Sequence, residues 1–89
     1  MQFMTVYTYP PERRAEVIKQ RAEKGDLMPE GMKVIAEWSY VGGGKVFRLV
    51  EASDAAVMVK ASHPWAGLGA IETYPVMETD KLIALLGRK

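Results

Sequence analysis

Three consecutive glycines, Gly42-Gly43-Gly44, separate two runs rich in β-branched and aromatic residues, and they constrain the fold more than any other feature of the chain. Glycine readily takes the positive φ angles of a tight hairpin turn, so Met32 to Val41 and Lys45 to Ala52 read as antiparallel neighbours. A two-residue turn at Gly43-Gly44 sets Val41 opposite Val46, Tyr40 opposite Phe47 and Trp38 opposite Leu49. That register gathers Val34, Ala36, Trp38, Tyr40, Phe47 and Leu49 on one face. A three-residue turn would mix the faces, because a one-residue slip sends a strand's apolar set to the other side. The second face then carries Ile35, Val41, Val46 and Val50.

Each side of this hairpin holds a strand and a helix. Gln2 to Tyr9 reads as the first strand, ending at Pro10-Pro11. Pro11 suits the first turn of a helix running to Lys24, with Ala15, Ile18 and Ala22 at helical spacing, Arg13, Glu16, Arg21 and Glu23 on the wet side, and Gly25 as its stop. Met28-Pro29-Glu30-Gly31 is turn chemistry. Ser53 or Asp54 caps a second helix, Ala55 to Ser62, which breaks where His63 precedes Pro64. Ala70 to Val76 is a fourth strand, placed at an edge by Pro75. Thr79 caps a last helix through Leu86, whose Leu82, Ile83, Leu85 and Leu86 need a cover. The order β-α-β-β-α-β predicts an α+β domain of ferredoxin-like type with a four-stranded antiparallel sheet, strands one and three central, and an added C-terminal helix.

At 89 residues the chain has room for one domain, 1–89, with a modest core. With no cysteine it has no disulfide, thiolate ligand or thiol nucleophile. Twelve Lys and Arg against eleven Asp and Glu argue against nucleic acid or an anionic membrane as partner. No run approaches a membrane span, and no basic region precedes an apolar run at the N-terminus, so a cytoplasmic location is expected.

The opening Met4-Thr5-Val6-Tyr7-Thr8-Tyr9-Pro10-Pro11-Glu12, the Pro29-Glu30-Gly31 turn, and Gly42-Gly43-Gly44 leading to Leu49-Val50-Glu51-Ala52-Ser53-Asp54 resemble a family of short bacterial and archaeal proteins known as a domain of unknown function. The similarity spans nearly the whole chain. It implies a branch of the dimeric α/β-barrel superfamily, in which two ferredoxin-like sheets pack face to face. That superfamily includes cofactor-free monooxygenases, lactone isomerases and haem-handling enzymes, and it shares no catalytic set to carry over. The fold therefore does not name a function.

The candidate binding residues are Tyr7, Trp38, Tyr40, Phe47, Arg48, His63 and Trp65. Arg48, midway along a central strand, either pairs with Glu37 diagonally across the hairpin or holds a ligand carboxylate. His63, the single histidine, is either a surface residue ending a helix or a base. The aromatic set is either plain core or the wall of a partly wet pocket. A lone histidine and no clustered carboxylates give no metal site, and no cofactor is expected. The third strand offers only Phe47 of the three aromatics that an RNA-recognition motif needs. The glycine run opens no helix, so it is no phosphate loop.

These features favour a homodimer that binds an elongated or planar apolar molecule with an acidic end. The slot is expected between the Trp38, Tyr40 and Phe47 face and the small residues Ala55, Ala56 and Ala61 of the second helix. A cofactor-independent monooxygenase or isomerase, and a non-catalytic interaction module, are the rival readings.

Overall fold

A computed structural model describes residues 1–25 and 29–87. Strand β1 spans Gln2–Thr8, and a 3₁₀ turn at Pro11–Arg13 leads into helix α1, Arg14–Lys24. Strands β2, Met32–Ser39, and β3, Lys45–Ala52, form the hairpin. Helix α2, Ala55–Ser62, passes into a 3₁₀ turn at His63–Trp65, then strand β4, Ala70–Val76, and helix α3, Thr79–Leu86. The fold is α+β, with an open antiparallel sheet in the order β2-β3-β1-β4. Strands β1 and β3 are central. Pro75 lies on the edge strand β4, where a missing backbone donor costs least.

Local chemistry explains most boundaries. Pro10 carries extended angles, and its carbonyl accepts from Arg13 N at 2.8 Å, which starts the turn into α1. The Asp54 carboxylate accepts from Val57 N at 3.2 Å and caps α2. The α3 cap is Glu78 rather than Thr79. Its carbonyl accepts from Lys81 N and Leu82 N at 3.0 and 3.1 Å, with no side-chain cap. Met28, the start of the expected turn before β2, lies outside the described residues.

The hairpin differs from the expected register by two residues. Trp38 lies opposite Phe47 and Ser39 opposite Val46, while Tyr40 N donates to Lys45 O at 2.9 Å. The loop is thus the four residues from Val41 to Gly44. Docking onto β1 accounts for the longer loop: Gly44, at φ +94°, accepts from Tyr9 N at 3.0 Å, and a Cβ there would lie 3.2 Å from Pro11 Cγ. A shift of two preserves facing, so Ala36, Trp38, Phe47 and Leu49 still share a face.

Val34 leaves that face. A β-bulge at Ile35 breaks the pairing between Val34, opposite Val50, and Ala36, opposite Leu49. One extra residue reverses the facing of everything beyond it. Val34 therefore packs against the core, Glu37 also points to the core side, and Trp38 points away.

The helices cover the opposite face from the one expected. Val50 is 0% exposed and packs with Phe3, Ala52, Val57 and Met58, and Val46 packs against a second cluster of Tyr7, Tyr9, Val17 and Trp65. Trp38, expected beneath α2, is 55% exposed, and Val41 is 87% exposed in the loop. Both faces of β3 are apolar, so the hairpin alone carries no sign of which is covered. The decision lies with β1, whose Phe3 and Tyr7 align with Val50 and Val46.

Helix α1 buries only Val17, while Ile18 remains half-exposed. Helix α3 buries none of its residues, and Leu82, Ile83, Leu85 and Leu86 face solvent. The Cα radius of gyration, 14.8 Å, exceeds the roughly 12 Å of a compact chain of this length. No helix among the described residues is long and apolar enough to cross a membrane.

The face assignment separates two valines that the sequence reading placed together. Val50→Ala should lower stability by about 2 kcal/mol through lost burial and a residual cavity. Val41→Ala should stay within about 0.5 kcal/mol. Urea unfolding of both variants checks this, and equal losses would contradict the assignment.

Candidate functional site

The register of the helix-facing side places one polar row across all four strands. Glu37 of β2 lies opposite Arg48 of β3, Arg48 opposite Thr5 of β1, and Thr5 opposite Thr73 of β4. The neighbouring rows are mainly apolar: Val34, Val50, Phe3 and Pro75 on one side, and Ser39, Val46, Tyr7 and Ile71 on the other. The two core clusters divide along this row, with Phe3 and Val50 in one and Tyr7 and Trp65 in the other.

Above the row lies a cavity of about 450 Å³, bounded by the sheet, α1 and α2. All four residues of the polar row line it. Its volume falls within the usual range for small-molecule sites.

Glu37 holds the charges together. Its Oε2 accepts from Arg48 Nε at 2.7 Å and lies 2.6 Å from Arg48 Nη2. Arg21 reaches down from α1, its Nη1 lying 3.0 Å from both carboxylate oxygens. Burial pushes the Glu37 carboxyl upward, but hydrogen bonds from Arg21 and Arg48 and their positive charge outweigh it and hold the group below the ordinary carboxylate value. The Arg48 and Glu37 side chains are 15% and 25% exposed, so the pair is shielded from bulk water without being sealed.

The aromatic end of the cavity is built by Tyr7 and Trp65, whose rings meet edge-on at 5.9 Å. The Tyr7 hydroxyl donates to Trp65 O at 3.3 Å. Burial pushes its pKa up, against the lowering influence of Arg13. A phenol already donating, and harder to ionise than usual, anchors the turn after α2 and is a poor base.

Tyr7, Tyr40, Arg48 and Trp65 come together around this cavity. Trp38 and Phe47 do not: they are cross-strand partners on the open face of the sheet. His63 is exposed at the start of the 3₁₀ turn and does not line the cavity. Arg48 satisfies its structural reading, the pair with Glu37, while also facing the space where a ligand would sit. The sequence reading set Arg21 on the wet side of α1, whereas it reaches Glu37 and lines the cavity, and it missed Arg14 on the same helix and Thr5 and Thr73 on the floor. The available signal was spacing, since Arg14, Val17, Ile18 and Arg21 recur at i, i+3, i+4 and i+7.

Over residues 1–89 the sequence matches the family described as Domain of unknown function (DUF3303). The chain belongs to the DUF3303 family. Neither a curated protein nor a solved structure matches it. For this DUF3303 chain, then, the chemistry of the cavity is the guide to function. Among the described residues of the DUF3303 domain, no three His, Cys, Asp or Glu side chains gather as a metal site.

Glu37→Gln should destabilise the DUF3303 domain by about 1–2 kcal/mol at neutral pH, because two guanidinium groups lose their carboxylate. The folded pKa of Glu37 is depressed, so its contribution is complete above the unfolded value of 4.5 and is lost as pH falls through the lower folded value. Wild type and Glu37→Gln should therefore converge on acidification. Urea unfolding in buffers descending into the acid range measures this, and a gap that persisted unchanged would contradict the role given to Glu37.

Proposed function

We propose that the protein binds a small amphipathic acid in the cavity above the polar row, with the acid group toward Arg48 and the apolar body against Tyr7 and Trp65. The observation that carries this reading is the row itself. A small domain gains most by filling the space between its sheet and helices with apolar side chains, and here that space holds Glu37, Arg48, Thr5, Thr73 and a cavity. A guanidinium presents a planar fork suited to a carboxylate, and Glu37 leaves the Nη1 side of Arg48 for that purpose. Burial of an apolar body contributes roughly 25 cal/mol per Å². Binding fits better than isomerase or monooxygenase chemistry, since Tyr7 is engaged with Trp65 O and His63 stands outside the cavity.

A second observation supports a homodimer of the ferredoxin-like, dimeric α/β-barrel kind. The open face carries Ala36, Trp38, Phe47, Leu49, Met4, Val6 and Tyr74, with Trp38 and Tyr74 about half exposed and the rest partly so, and a contiguous exposed apolar patch marks an interaction surface. A second copy, sheet against sheet, is the cover that the resemblance to dimeric α/β-barrel proteins implies. Sedimentation equilibrium at micromolar concentration should give twice the mass of one chain, and a single-chain mass would end the barrel reading.

The ligand reading is tested by acid extraction and mass spectrometry of the native protein, and by calorimetric titration with decanoic acid. We expect saturable binding that Arg48→Met weakens at least about tenfold, the scale of one charge-assisted contact. No copurifying acid, together with no heat of binding, would refute it.

A further inference from the structure

We propose that the cavity takes a two-ended acid, with Arg14 as the anchor for a second carboxylate about 10 Å from the first. The inference rests on the binding reading above and narrows its ligand class.

Arg14, Val17, Ile18 and Arg21 lie on one face of α1 and all line the cavity. Seven residues at 1.5 Å each separate the two arginines by about 10 Å along the axis. The wall that α1 presents is therefore cation, apolar stretch, cation.

The two ends differ in how their charge is held. At one end Arg21 and Arg48 share Glu37, which leaves a single positive charge. At the other, Arg14 Nη1 donates to the neutral Val41 carbonyl at 3.3 Å, and among the described residues Arg14 forms no ion pair. Its neighbour Arg13 behaves differently, donating from Nη2 and Nε to Glu16 at 2.8 and 3.4 Å on the wet side of the helix. The Arg14 stem crosses the glycine loop, where a Cβ on Gly43 would come within 3.4 Å of Arg14 Cδ. Each end thus offers one net positive charge to one carboxylate, with Val17 and Ile18 between them. An extended chain advances roughly 1.2 Å per bond, so a spacer of this length corresponds to a diacid of roughly ten carbons.

The sign of the effect makes the test sharp. Arg14 is exposed, so a carboxylate at this end stays hydrated and gains from the cation without being buried, whereas a methyl end gains nothing from it. Calorimetric titrations of the full chain compare decanedioic acid, decanoic acid and the shorter hexanedioic acid near neutral pH. Decanedioic acid should bind several-fold tighter than decanoic acid, the scale of one exposed ion pair, and the gap should narrow as salt is raised. Hexanedioic acid should bind more weakly than decanedioic acid by more than its four fewer methylene groups account for, because it cannot span the two ends. Arg14→Gln should bring the ratio of decanedioic to decanoic acid affinity down to about one, and Arg14→Lys should retain part of the advantage. Should Arg14→Gln fail to fold, the wild-type comparison still decides. Equal or weaker binding of the diacid by wild type would overturn the second anchor and leave the single-acid reading standing. A diacid advantage that survived Arg14→Gln would overturn the assignment to Arg14. If no acid bound, both readings would fall together.

Discussion

The Glu37–Arg48 ion pair joins the edge strand β2 to the central strand β3 on the sheet face that the helices cover, and the surrounding structure accommodates it. Charges taken from water must be paired and hydrogen-bonded, and a sealed core around them would cost several kcal/mol. Here the pair opens onto a cavity, and Arg21 adds a third group to the cluster. The cavity and the charges are one feature. Helix α1 does not pack flat over the row: it buries Val17 and is tied down by Arg21 to Glu37, Arg14 to Val41 O and Gln20 to Pro64 O.

The bulge at Ile35 makes the pair possible. Continued without it, the alternation that puts Met32 and Val34 on the core side would turn Trp38 inward and Glu37 outward. One extra residue exchanges a large aromatic for a carboxylate beneath the helices. The same step leaves Trp38 beside Phe47 on the far side, where the apolar surface is bare. Two traits of the fold, a wet interior and an apolar exterior face, thus share one local cause. The unburied residues of α3 add to that exterior. A chain of this length has little core to spare, which makes both traits costly unless each is used.

Most of the element boundaries were legible because they rest on local chemistry: Pro10-Pro11 before α1, Asp54 before α2, and the glycine run between β2 and β3. The pairing of Arg48 with Glu37 was also legible, since hairpin facing survives a shift of two. The bulge was not, because Ile35 is an ordinary strand residue with no glycine or proline to mark it. Without the bulge, Val34 falls on the same face as Trp38, and the covered face is inverted. The inner side of α1 was misread for a different reason. Ala15, Ile18 and Ala22 suggested one stripe, while the single buried residue, Val17, lies beside Arg14 and Arg21, whose charge masks an inward face. Thr79 resembles a cap by type, yet the Glu78 carbonyl starts α3.

The central claim is that the polar row beneath the helices, rather than the aromatic open face, is where a small acid binds. Amide chemical-shift mapping of the isotopically labelled protein during titration with decanoic acid tests it most directly. Saturable shifts are expected at Thr5, Glu37, Arg48 and Thr73, with the Trp65 indole following them. Shifts confined to Trp38, Phe47 and Leu49, or none at any position, would contradict it.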